Sequence, residues 1–128
     1  MNTITITLNL PPSCLAGHAK GHWREKAAAT KRCRQGAYTV ATAQLNRRTP
    51  PMWAHATISY RFFLPDDRRR DAANLVSACK GYIDGIVDAA IIVDDDWKIL
   101  SIGSVKCELD RDNPRVEITL AAIQEALK

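Results

Sequence analysis

The sequence contains no apolar run approaching the roughly 18 residues of a membrane span. The N-terminal MNTITITLNL alternates and does not form the apolar core of a signal peptide. A cytoplasmic location and no membrane partner are the resulting expectations. The four cysteines, Cys14, Cys33, Cys79 and Cys107, never approach a C-x-x-C spacing, which excludes a zinc knuckle and a disulfide framework and predicts reduced, structural thiols. His18 and His22 are four apart, but Gly17 and Gly21 argue for a loop and no third ligand is near. There is no G-x-x-x-x-G-K-S/T loop for nucleotide phosphates, no Ser/His/Asp pattern and no internal repeat. With only six prolines and six glycines and 46% hydrophobic residues, neither disorder nor a fibrous repeat is indicated. A chain of 128 residues then suits one compact domain, residues 1–128.

The hydrophobic patterning that is present places six elements. TITITLNL (3–10) alternates Ile4, Ile6, Leu8 and Leu10 with polar residues, the period of a strand, and PPS stops it. From His22 to about Arg47 an Ala-, Lys- and Arg-rich stretch without proline predicts a helix, with Trp23, Ala27, Thr30, Arg34, Ala37, Ala41 and Leu45 at helical spacing. HATISYRFFL (55–64) alternates again as a strand, with Phe62 facing inward, and ends at Pro65. Asp71 has the chemistry of an N-cap for a helix over about 72–88. WKILSIGSVKCEL and PRVEITLAA read as two further strands joined by the turn DRDNP. The order β-α-β-α-β-β implies a small α/β (α+β) domain, a mixed sheet with two main helices on one side.

Charge is unevenly distributed. Residues 1–70 carry twelve Lys and Arg against three Asp and Glu, whereas residues 71–128 carry six against eleven. The basic half suggests a polyanionic partner, because Lys and Arg release counterions from phosphates. The sign changes inside RRRDAANL, where Arg68, Arg69 and Arg70 run into Asp71. A second acidic loop, Asp94-Asp95-Asp96, follows the second helix. Carboxylates from two such loops can converge on Mg²⁺, which takes hard oxygen ligands, and the arginines would hold phosphates beside it. Singly, each feature reads more simply: an N-cap, a solvated loop, a basic surface. Asp84 and Asp88 share a helical face and either lie near the acidic loop or are simply exposed, with exposure favoured. An EF-hand reading of DDDWKILSIGSV fails, since the sixth position is Ile99 and no glutamate closes the loop.

Three blocks, ITLNLPPS, HWREKAAATKRCRQGAY and RRRDAANLVSACKGYIDGIVDAAIIVDDD, together resemble the RusA family of Holliday junction resolvases, small endonucleases of phages and prophages. The third block is the most specific: basic residues, Asp-x-Asp-Asn-Leu, a helix with a lysine, then Asp-Asp. The resemblance implies a homodimeric α/β protein that binds four-way junction DNA in a bacterial cell and uses Mg²⁺, with Mn²⁺ as a substitute, to cut two strands symmetrically. Asp71 falls on the first acid of Asp-x-Asp, Asn74 and Leu75 on its Asn-Leu, and Asp94 and Asp95 on the Asp-Asp pair. Asp71, Asp94 and Asp95 are then the metal ligands, with Asp71 and Asp95 catalytic.

Two positions depart from the pattern. The second acid of Asp-x-Asp is Ala73, whose methyl group cannot ligate a metal. The family's catalytic lysine falls on Ser77, and Lys80, three residues on, is taken to fill that role from nearly the same helix face. Arg68, Arg69, Arg70, Lys20, Arg24, Lys31 and Arg34 are the expected DNA contacts. An impaired Mg²⁺-dependent junction endonuclease is the expectation. A non-catalytic junction-binding protein and a small metal-dependent nucleotide hydrolase are the alternatives. Natural divergence and a deliberate inactivating substitution both account for Ala73, and the intact surroundings favour the second.

Overall fold

The computed structural model describes residues 2–16 and 21–124. Its elements run β1 (Thr3–Leu8), a single 3-10 turn (Ser13–Leu15), α1 (Trp23–Leu45), β2 (Ala56–Leu64), α2 (Ala72–Ala78), α3 (Lys80–Asp88), β3 (Leu100–Leu109) and β4 (Arg115–Ala122). The four strands form one mixed sheet in the order β1-β4-β2-β3, with β2 and β3 parallel and the other pairs antiparallel. This is the α+β domain expected from the patterning, with two departures.

The first concerns β3 and β4. The DRDNP turn is present, and Asp110 accepts from the backbone N–H groups of Asp112 and Asn113 at 3.2 and 3.1 Å. It does not close a hairpin, because β4 lies between β1 and β2 and the turn carries the chain past β2. Only that position lets Val116, Ile118 and Leu120 of β4 meet apolar residues on both sides. The register aligns Ile4, Leu120 and Ile58, then Ile6, Ile118 and Tyr60, then Leu8, Val116 and Phe62. All nine are buried on one face, under the helices.

The second concerns the helix expected over 72–88, which breaks at Cys79 into α2 and α3. Cys79 has φ −87° and ψ 4°, and its N–H bonds back to Val76 O at 3.0 Å, a tightened last turn. α3 lies very close to α1. A Cβ at Gly81 would stand 2.8 Å from the carbonyl oxygen of Thr30, and one at Gly85 would collide with the carbonyl oxygen of Arg34. The face of α1 that meets it is correspondingly small: Ala29, Cys33, Ala37 and Ala41, followed by Leu45. The sequence stripe was thus offset at its start, for Trp23 is 68% exposed and Arg34 lies outside.

β3 is an edge strand, and the helices stop short of it. Its positions on the helix side, paired with Ala56, Ile58, Tyr60, Phe62 and Leu64, are Leu100, Ile102, Val105, Cys107 and Leu109. None is fully buried. All four cysteines are free. Among the described residues no helix is long and apolar enough to cross a membrane.

Candidate functional site

Two grooves flank α2, and the residues singled out in the sequence divide between them. Asp71, Asn74, Leu75 and Ala78 face one; Val76, Ser77 and, beyond the break, Lys80 and Ile83 face the other.

The first groove, about 580 Å³, joins two of the sequence blocks. Leu10, Pro11 and Pro12 form one wall and the loop Arg68–Asp71 another. Asp71 caps α2, its Oδ1 accepting from Ala73 N–H at 2.9 Å. The arginine run is sorted by Asp66, which the sequence reading passed over. Arg70 Nη1 donates to Asp66 Oδ1 at 2.8 Å and Arg68 Nε at 3.1 Å. Arg70 first, then the Arg68 backbone and side chain, hold this carboxyl well below the usual carboxylate range. Arg70 is half-buried and also donates to the carbonyls of Asp66 and Arg68, so it shapes the loop. Arg69 is exposed and makes no hydrogen bond or ion pair to the described residues. Of the three, it is the one without a carboxylate partner among the described residues.

The second groove, about 430 Å³, holds the acidic loop and Lys80. Two of the three loop acids serve the backbone: Asp94 Oδ1 accepts from Asp95 N–H and Asp96 Oδ1 from Lys98 N–H, both at 2.8 Å. Parallel pairing of Ile92 with Trp53 anchors the segment that leads into this loop. Asp95 is thereby turned to Lys80, whose Nζ lies 2.5 Å from Asp95 Oδ2 and 2.6 Å from Asp84 Oδ1. Asp84 is therefore not a free surface acid as expected; it is half-buried and forms the other arm of this bridge. The Lys80 hydrogen bond, ahead of opposing burial, pulls the Asp95 carboxyl below its ordinary value. Burial lowers the Lys80 ammonium, but the two carboxylates outweigh it and raise the net value.

Asp71, Asp94 and Asp95 supply the hard oxygen donors that Mg²⁺ takes. As the chain stands they are not gathered around one point: Asp71 and Asp95 line different grooves, and among the described residues no three His, Cys, Asp or Glu side chains come together as a cation site. Ala73 precedes Ser77, which lines the Asp95 groove, by four residues of α2, so the two share a helix face.

The basic helix is partly neutralised. Arg34 forks Asp88 with bonds of 2.6 and 2.8 Å, which also leaves Asp88 paired. Arg24 is exposed and rests its guanidinium 5.3 Å from the Trp23 ring centroid, and Lys31 is exposed. His22 accepts the Arg24 N–H at 3.1 Å as the N-cap of α1; Lys20 and His18 lie outside the described residues. Besides Asp66, sequence reasoning missed Trp97 and Tyr60, both of which line the Asp95 groove and depend on chain crossings. For Asp84, raised in the sequence as near the acidic loop or exposed, the spacing of four from Lys80 was the available signal for the bridge. Neither the scan of the chain against family models nor the search of curated proteins gives a match.

Proposed function

We propose that this chain is a RusA-like protein of branched DNA, a homodimer that binds four-way junctions and is built for Mg²⁺-dependent strand cleavage, in a form impaired by Ala73. The observation that carries the proposal is the contact of Lys80 with Asp95 at 2.5 Å. These residues are fifteen apart; the resemblance assigns Asp95 to the site, and Lys80 is taken to stand in for the family's lysine, whose own position is Ser77. A second support is the meeting of the Pro11-Pro12 segment with the Arg68–Asp71 loop around one groove.

In this reading Arg69 docks a phosphate, since its neighbours are committed to Asp66. Lys80, with 59% of its side chain exposed, faces the scissile phosphate and offsets developing negative charge, while Asp84 and Asp95 fix its direction. A two-fold dimer would present two such sites to a junction that itself has approximate two-fold symmetry. Junction shape and backbone, more than base sequence, would set recognition.

A second reading is a non-catalytic junction-binding protein. It is favoured by Ala73 together with the neutralisation of Asp95 by Lys80. Nicking of a labelled four-way junction with Mg²⁺ separates the two. Under the first reading Ala73→Asp raises cleavage by about 10²-fold or more, the scale of restoring a positioned catalytic group. Junction binding without rescue selects the second reading, and failure to prefer junctions rejects both.

A further inference from the structure

The open edge of the sheet is β3, and its two halves differ. The first half ends in a bulge, where Gly103 and Ser104 stand opposite Ser59 alone, between the pairs Ile58–Ile102 and Tyr60–Val105. From Val105 to Leu109 the pairing with β2 is regular. The N–H of Ser104 turns inward to Ser59 Oγ at 3.2 Å, and that of Asp110 to Leu64 O at 2.7 Å. Backbone groups alternate in direction along a strand, so Lys106 and Glu108 also turn to β2, while Val105, Cys107 and Leu109 point their N–H and C=O groups to the open edge. A bulge protects such an edge from pairing, but here it covers only the first half. The second half carries Leu109, 51% exposed, and the exposed thiol of Cys107.

We propose that this half of β3 pairs antiparallel with β3 of a second copy of the chain, about a two-fold axis at Cys107. Charge selects both the occupant and the register. For a strand meeting itself reversed, the outward backbone groups face one another only when the axis passes through a residue. An axis at Lys106 sets ammonium against ammonium, and one at Glu108 sets carboxylate against carboxylate. An axis at Cys107 sets Lys106 opposite Glu108 of the second copy, and Val105 opposite Leu109, each pair occurring twice. Lys106 is exposed without a carboxylate partner among the described residues, and Glu108 gives only Oε1, to Arg61 at 2.8 Å. Directly opposite side chains share a face of the sheet, so the helices of both copies lie on one side. The two Arg68–Asp71 loops, which follow the Leu64 end of β2, then open on that side as a symmetric pair. This pairing supplies an interface for the homodimer of the reading above; it needs only the strand, whereas its use on a junction rests on that reading.

The test is sedimentation velocity of the full chain in reducing buffer without metal. The wild type should sediment as a dimer. Lys106→Glu and Glu108→Lys each bring like charges together, and each should weaken self-association about tenfold or more with an unchanged circular dichroism spectrum. An equimolar mixture of the two variants should recover the dimer, because each then offers the charge that the other lacks; a folding defect would not be repaired by mixing. A short bismaleimide should link wild-type copies, and Cys107→Ser should abolish the link. A monomeric wild type, or a dimer indifferent to both variants and to their mixing, overturns the pairing. If that protein still prefers junctions over linear duplex, the DNA reading survives the loss of this interface. A dimer that obeys the charge swap but ignores junctions keeps the interface and sinks the DNA reading.

Discussion

Ala73→Asp should create a divalent-cation site where the described residues gather none, and its effect on stability follows from the structure. Ala73 is exposed in the first turn of α2, so a carboxylate there enters no core. The helix N-terminus favours it by roughly 0.3–1 kcal/mol. Repulsion from Asp71 and Asp95 opposes it, eased on the Asp95 side by Lys80. Without metal the variant should therefore match the parent within about 1 kcal/mol. With 10 mM Mg²⁺ and a Kd of about 1 mM, binding to the folded state alone adds about 1.4 kcal/mol. For a domain of this size that raises Tm by about 5 °C. Thermal unfolding followed by circular dichroism, with Mg²⁺ and after EDTA, is the assay. The parent should move by less than about 1 °C under the same conditions. An equal Mg²⁺ response in parent and variant, or none in the variant, would refute a cation site that includes residue 73.

Asp71→Ala should lose the cap of α2 and destabilise by about 1 kcal/mol, whereas Asp71→Asn should keep most of that stability, measured by urea unfolding; in the Ala73→Asp background both should lose nicking. Arg69→Ala should lower the slope of log K against log salt for junction binding by about 0.9, one phosphate contact, with no change in Tm, while Arg70→Ala should lower Tm by opening the Asp66 loop. Tyr60→Phe should stabilise the unliganded protein by about 1 kcal/mol, since it removes an unpartnered buried hydroxyl, and a loss of stability would contradict the unpartnered state. Gly85→Ala should cost about 3 kcal/mol or more because its methyl meets the α1 backbone, and a neutral result in denaturant melts would refute the close helix pair. The Asp95 carboxyl is depressed, so its contribution is present above the ordinary carboxylate value of about 4 and lost as pH falls through its folded value. Lys80 is raised, so its contribution is present below about 10.4 and lost as pH rises through its folded value. A double-mutant cycle with Lys80→Met and Asp95→Asn should give a coupling of about 0.2–1 kcal/mol that is flat between about pH 5 and 10; a coupling that grows below pH 4 would contradict the ion pair.

The strands were legible because Ile4, Ile6 and Leu8, or Ile58, Tyr60 and Phe62, alternate over a half-covered sheet, a pattern that depends only on local geometry. The position of β4 was not, since a five-residue turn fits a hairpin and a step past one strand equally well, and only the apolar register decides. The break at Cys79 was hidden for a similar reason: Gly81 and Gly85 read as weak helix formers, whereas their role is the approach of α3 to α1. In the site, Asp71 as the cap of α2 was readable, and Lys80 and Asp95, both singled out in the sequence, lie in contact. Asp66 and Tyr60 were missed because what they touch is set by turns and crossings, and for Asp84 the favoured exposure gave way to the bridge with Lys80. Arg34 carries a pairing that the sequence did not show, its charge matched by Asp88 across the helix pair.

The central claim is that this chain recognises branched DNA. Competition for a labelled four-way junction, by unlabelled junction against unlabelled linear duplex of the same sequence at 0.1–0.2 M salt without metal, tests it most directly. The account predicts that the junction competes at least tenfold better, and that Arg69→Ala weakens both. Equal competition by linear duplex, or no salt-sensitive binding to either, would contradict it.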